Sequence, residues 1–187
     1  ARGGESILKA AQRAGHDIPH LCYSDGLRAD GNCRACVVEI EGERALAPSC
    51  CRQPTEGMVA YSNNARARQS QALVLELLKT DVGEAKFTGI SELDQWCDRL
   101  NVGPSRFASR NQPMADVSHP AIEVNLEACI QCTRCLRACR EEQANDVIGF
   151  AHRGAHVEIV FDLGDPMGES SCVGCGECVQ ACPTGAL

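Results

Sequence analysis

The chain has 187 residues, with 18 Lys and Arg against 25 Asp and Glu, a formal net charge of −7 and only 4% aromatic residues. Acidity of this kind does not suit a nucleic-acid partner, and no apolar run approaches the roughly 20 residues of a membrane span. The excess is in cysteine, 14 in all. With no signal peptide visible, a reducing, cytoplasmic setting is expected, where such a count reads as metal rather than disulfide.

In chain order, Glu5 to Ala14 reads as a helix with Ile7, Ala10, Ala11 and Ala14 on one face and Gly15 closing it. A loop follows, carrying Cys22, Cys33 and Cys36. Ala35 to Ile40 reads as a strand, Glu41–Gly42 as a turn and Arg44 to Ser49 as the returning strand. Asn64 to Lys79 is the longest helical run, with a stripe of Leu73, Val74, Leu77 and Leu78. Its expected job is structural, leading the chain off the first domain. Gly83 to Gly89 breaks it. Ser91 with Asp94 opens a short helix through Leu100, with Trp96 expected in a core. Pro104, Pro113 and Pro120 mark an extended surface linker. Ala121 to Asn125 reads as a strand, Thr133 to Glu141 as a helix, and Val147 to His152 with His156 to Asp162 as a hairpin around Gly154. The Gly164–Asp165–Pro166 turn leads to the last cysteines.

Those cysteines carry the chemistry. Cys129, Cys132, Cys135 and Cys139 have the spacing C-x2-C-x2-C-x3-C, and Cys172, Cys175, Cys178 and Cys182 repeat it, with Pro183 following. That is the ligand pattern of a bacterial-type ferredoxin with two [4Fe–4S] clusters, in which the fourth cysteine of each run serves the other cluster. One set is therefore Cys129, Cys132, Cys135 and Cys182; the other is Cys139, Cys172, Cys175 and Cys178. A pair of zinc sites is the alternative, but zinc motifs usually pair two C-x2-C knuckles across a loop. Upstream, Cys22, Cys33, Cys36 and Cys50 are spaced C-x10-C-x2-C-x13-C and resemble the plant-type [2Fe–2S] pattern. Cys51 is the rival for the fourth place. Neighbours on a strand point to opposite faces, so only one should reach the site.

The fold class implied is α+β. A β-grasp plant-type [2Fe–2S] ferredoxin domain spans 1–65, a helical connector and linker 66–120, and a bacterial-type two-[4Fe–4S] ferredoxin domain 121–187. The opening hairpin of a β-grasp is missing before the first helix. Together with a start at Ala1 and an end shortly after Cys182, this suggests a piece of a longer protein.

The order of parts resembles the N-terminal region of complex I-like electron-transfer subunits. The runs "HPAIEVNLEACIQCTRCLRACREEQANDVIGF", "VFDLGDPMGESSCVGCGECVQACPTGAL" and "PHLCYSDGLRADGNCRACVVEIEG" are similar to the alpha subunit of soluble NAD-dependent formate dehydrogenases of the molybdenum or tungsten type. In the complex I version of the first domain the C-x13-C gap is the usual one, which favours Cys50. The resemblance implies an electron relay with one [2Fe–2S] and two [4Fe–4S] clusters. It implies as partners a molybdopterin centre that oxidises formate and a flavin subunit that reduces NAD. Neither a molybdopterin domain, nor a flavin site, nor a nicotinamide fingerprint is present in these residues, so no catalytic residue is assigned. Many relatives carry a further [4Fe–4S] site, H-x3-C-x2-C-x5-C, in the connector; here only Cys97 is present, read as a structural thiol. Without that site the [2Fe–2S] centre could need another subunit to complete its path. Arg134, Arg137 and Arg140 could offset cluster charge or contact an acidic partner, with solvation on a helix face the more ordinary reading. His20 could hydrogen-bond near the first cluster, with a packed loop residue the preferred reading. The alternatives are an electron-transfer subunit of an NAD-linked hydrogenase or complex I-like assembly, and a scaffold or redox regulator held together by its clusters.

Overall fold

The computed structural model describes residues 3–83 and 91–187. Helix α1, Ile7–Arg13, starts where the Ser6 side chain accepts the Lys9 N–H at 3.3 Å, and Gly15, at φ 80°, follows its end. Three short antiparallel strands come next: β1 (Val37–Ile40), β2 (Ala47–Pro48) and β3 (Ala60–Tyr61), in the order β2-β1-β3. The register pairs Val38 with Ala47 and Glu39 with Tyr61. The expected returning strand shrinks to two residues. β3 was not expected, because both its residues are exposed and two positions show no alternation. Ile7, Leu8, Ile18, Val38 and Ile40 form the core of this unit together with Cys36 and Cys50. A buried aliphatic side chain contributes about 1.5–3 kcal/mol, so a few of them hold a small sheet in place.

Helix α2, Ala65–Leu78, is capped by Asn64, whose side chain accepts the Ala67 N–H at 2.9 Å. Its inner face is not the leucine stripe expected. Ala67, Gln71 and Leu75, spaced four apart, are buried, whereas Leu73 and Leu77 are exposed. Gln71 lies inside because its amide donates to Val37 O (2.9 Å) and Ser62 O (3.0 Å), satisfying carbonyls at the sheet margin. Helix α3, Glu92–Leu100, is capped by Ser91 and ends at Asn101 in the left-handed region. Leu75 from α2 and Leu93 and Cys97 from α3 enter one hydrophobic cluster with Leu21, Cys22, Ile130 and Cys132. The two helices therefore sit beneath both cysteine-bearing regions rather than leading away from the first. Trp96 is half-buried at the margin of that cluster, with the Arg99 guanidinium 4.8 Å from its ring. Of the break expected over 83–89 only Gly83 is described, its N–H donating to Glu127 O at 2.7 Å.

The strand expected over 121–125 is reduced to a bridge between Asp116 and Val124. Asn125 diverts the chain: its backbone N–H goes to Ala186 O (2.7 Å) and its side chain accepts the Glu127 N–H, opening a 3-10 turn at Leu126–Ala128. Helix α4, Arg134–Arg137, runs into a π turn, Ala138–Glu142. Strands β4 (Ile148–Ala151) and β5 (Glu158–Phe161) form the expected hairpin, with a 3-10 turn at Gly154–His156. Helix α5, Glu177–Ala181, packs against α4. Small antiparallel sheets and separate short helices make this an α+β chain. No helix among the described residues is long and apolar enough to cross a membrane.

Candidate metal centres

Cys22, Cys36 and Cys50 are buried and Cys33 is half-buried. Their thiols stand close enough to hydrogen-bond in a chain, Cys22 with Cys33 and Cys50, and Cys50 with Cys36. Those bonds from its neighbours push the Cys22 thiol down to about 2 and, through Cys50, bring Cys36 down to about 7. Cys33 and Cys50, as the donors, are pushed up. Hydrogen bonds from its neighbours thus favour a thiolate at Cys22; a cationic core would favour it at all four. Arg34, at φ 60°, turns the chain between Cys33 and Cys36. Cys51 is exposed, its Sγ 3.6 Å from that of Cys50. Both residues lie in a turn after β2, so the strand-alternation argument does not apply. Burial, not pleat, separates the two thiols.

The later cysteines stand around two cavities. Cys129, Cys132, Cys135 and Cys182 line one, with Leu126, Ile130, Ile159 and Pro183. Cys139, Cys172, Cys175 and Cys178 line the other, with Ile122, Val147 and Phe161. Burial pushes Cys132 up to about 12 and Cys129 and Cys178 up to about 11, and it pushes the Cys135 thiol well up too. Among the described residues no group of three His, Cys, Asp or Glu side chains closes on a single-ion site.

The two ligand loops repeat each other in backbone. Gln131 and Gly174 each follow the first cysteine of their run by two residues, at φ 54° and 65°. Each donates its N–H to that cysteine's Sγ at 3.4 Å. Thr133 and Gly176, at φ 67° and 81°, then start α4 and α5. The first run holds the left-handed turns without glycine, at a strain of roughly 1–2 kcal/mol per residue. Its side chains have compensating work: Gln131 donates to Val157 O at 2.8 Å and Thr133 to Asp30. The Ala186 N–H reaches Cys182 Sγ at 3.2 Å. Soft thiolate donors, N–H groups aimed at sulfur and apolar walls fit an iron–sulfur cluster in each place.

Two arginines overturn the expectation of solvated residues. Arg134 and Arg137 are buried, and Arg137 is among the largest fully buried side chains of the chain. Arg134 forks onto Glu92 of α3 (2.6 and 2.9 Å), donates to Tyr23 O and reaches Ala181 O at 3.5 Å. Arg137 donates to Cys22 O, Arg28 O and, at 3.4 Å, Cys132 O, and pairs with Asp30 at 3.2 Å. Only Arg140 is exposed, paired with Asp146. The sequence carried a signal for this: a helix whose cysteines must be sequestered cannot expose every residue between them. His20 packs as expected, its Nδ1 2.8 Å from Ile18 O and its ring beside Tyr23 and Trp96.

Residues 1–65 match the 2Fe-2S iron-sulfur cluster binding domain, and residues 128–186 match the 4Fe-4S dicluster domain. By these matches the chain carries a 2Fe-2S and a 4Fe-4S ferredoxin-type domain. Across 98% of its length it is similar to NADP-reducing hydrogenase subunit HndD of Solidesulfovibrio fructosivorans, at 36% identity and 33% of that protein's length. The NADH-quinone oxidoreductase G 2 subunit of Rhizobium meliloti (strain 1021) is 34% identical, with 98% of this chain and 22% of that one covered. A putative formate dehydrogenase of Staphylococcus haemolyticus (strain JCSC1435), SH0748, is 28% identical, with 98% and 19% covered. A crystal structure of an NAD+-reducing [NiFe]-hydrogenase in the H2-reduced state superposes with a TM-score of 0.89 at 25% identity, covering 99% of this chain and 80% of that one. The chain spans a third or less of the length of these curated relatives.

Proposed function

We propose that the chain is the iron–sulfur relay of an NAD-linked oxidoreductase, and specifically of a formate dehydrogenase. Module 1–65, a β-grasp core of one sheet and its crossing helix, would hold one [2Fe–2S] cluster through Cys22, Cys33, Cys36 and Cys50. Module 121–187 would hold two [4Fe–4S] clusters, one through Cys129, Cys132, Cys135 and Cys182, the other through Cys139, Cys172, Cys175 and Cys178. Segment 66–120 supports both. When bound, each cluster takes up and gives back one electron. The residues do the rest: thiolates fix the iron, the N–H groups of Gln131, Gly174 and Ala186 temper charge on sulfur, and apolar walls keep water out. The observation that carries this reading is the sorting of eight thiols into two cavities of four, across two runs that each contribute to both.

The partners in this reading are a molybdopterin centre with molybdenum or tungsten, which oxidises formate, and a flavin subunit that reduces NAD. The quoted sequence runs support formate as the electron source. A hydrogenase is the second reading, favoured by the 36% identity to the hydrogenase subunit and the structural likeness to the NAD+-reducing enzyme. Anaerobic addition of formate or of H2 to the purified native complex separates them. Formate should bleach the visible absorption of the clusters within the turnover time and H2 should not; the reverse result favours the hydrogenase. Clusters that change oxidation state with neither substrate nor NADH would make the chain a scaffold.

A further inference from the structure

Arg137 lies on α4 between Cys135 and Cys139 and is 1% exposed. Every nitrogen of its guanidinium is engaged. Nη2 donates to Cys22 O and, at 3.4 Å, to Cys132 O. Nη1 donates to Arg28 O. Nε faces Thr133 Oγ1 and Asp30 Oδ2, each at 3.2 Å. Asp30 is the acidic partner; its other oxygen meets the more exposed Arg28 at 3.1 Å. Cys22 belongs to the candidate [2Fe–2S] site and Cys132 to the first [4Fe–4S] site. Both also share one apolar cluster with Leu21, Leu93 and Ile130. The two sites therefore adjoin, with no other candidate site between them among the described residues.

We propose that Arg137 is a positioning residue shared by two centres: by joining the Cys22 and Cys132 carbonyls it holds the [2Fe–2S] and first [4Fe–4S] sites against each other and sets their potentials as a pair. Reduction adds negative charge to a centre. A buried cation nearby favours the reduced form, and Asp30 offsets part of that effect; in a poorly screened interior both charges act on whatever lies beside them. The cavity of Cys139, Cys172, Cys175 and Cys178 is walled by Ile122, Val147 and Phe161 and receives no hydrogen bond from Arg137, so it serves as the internal reference.

The inference rests on the cluster assignment above, which iron content and the wild-type EPR spectrum decide on their own. The test is an EPR-monitored redox titration of the full chain in its complex, comparing wild type with Asp30→Asn, Arg137→Gln and Arg137→Lys. Asp30→Asn leaves the arginine in place and unmasks its charge. The [2Fe–2S] wave and one cubane wave should rise together by about tenfold in the reduction equilibrium, about 59 mV for a one-electron couple. The other cubane wave should move less. Arg137→Gln should shift the same pair downward, and Arg137→Lys, which keeps the charge, should recover most of that shift. If Arg137→Gln fails to load iron, Asp30→Asn decides. An Asp30→Asn protein whose [2Fe–2S] wave moves alone, whose three waves move equally, or in which none moves would overturn the proposal.

Discussion

Cys50 and Cys51 are adjacent thiols with opposite surroundings, and Cys97 is a third case, buried in the apolar cluster that also holds Cys22 and Cys132. Iodoacetamide applied at pH 8 to the cluster-loaded protein should therefore modify Cys51 and spare Cys50 and Cys97, as read by peptide mass mapping. Burial pushes the Cys97 thiol up to about 11, while the nearby Lys79 opposes this. The folded value lies above the unfolded one, so Cys97 contributes stability that is fully present below about pH 9 and lost as pH rises through its folded pKa. The melting temperature should fall between pH 9 and 11, and Cys97→Ala should flatten that part of the profile while leaving all three EPR signals in place. Loss of a cluster signal in Cys97→Ala would make it more than a packed thiol. Arg134 allows a second test. Glu92→Gln strips a buried arginine of its charge partner; because Glu92 is partly exposed, the cost should be about 2 kcal/mol, below the usual range for a broken buried pair, measured by chemical denaturation.

Among the elements, α2 tests how far periodicity can be trusted. A stripe of leucines pointed to the wrong face because the partner surface is a sheet margin with unpaired carbonyls, and Gln71 answers that need where leucine cannot. Gln71→Leu should cost about 2 kcal/mol by leaving the Val37 and Ser62 carbonyls short of a donor, whereas Leu77→Gln should change stability by less than about 0.5 kcal/mol. The helix itself was legible to within a residue at each end, since Asn64 is a recognisable cap. Of the two-residue strands, β2 was legible only as part of a longer run and β3 not at all, both being held by tertiary contacts rather than by their own pattern. Near the last cysteines, Gly168 lies against the 116–118 segment: Met167 N–H donates to Asp116 at 2.7 Å, and Gly168 N–H to Ser118 Oγ at 2.8 Å. A Cβ at Gly168 would stand 2.4 Å from Ser118 O, a backbone atom that cannot swing aside. Gly168→Ala should force that segment off and lower the melting temperature, with iron lost first from the cubane that has Cys172 among its ligands.

For the whole molecule, what the sequence made plain was chemical: twelve thiols at three sets of spacings, and an α+β chain of small units. How the units join was hidden, because the joint is made of arginines, which read as solvated until the carbonyls they bind are placed around them. Tyr23, Arg28 and Asp30 come from the first module, Glu92 from the connector, Cys132 and Ala181 from the second; no local pattern announces that they meet. The same joint places Cys22 and Cys132 in one apolar cluster, which makes a continuous relay physically reasonable in a chain with a single cysteine in its connector.

Iron and acid-labile sulfide, counted per chain together with EPR of the dithionite-reduced protein after anaerobic purification, bear most directly on this account. About ten iron and ten sulfide are expected, from one [2Fe–2S] and two [4Fe–4S] centres, with a [2Fe–2S] signal that Cys22→Ser abolishes while both cubanes persist. A count near two or four iron, or zinc in place of iron, would contradict it.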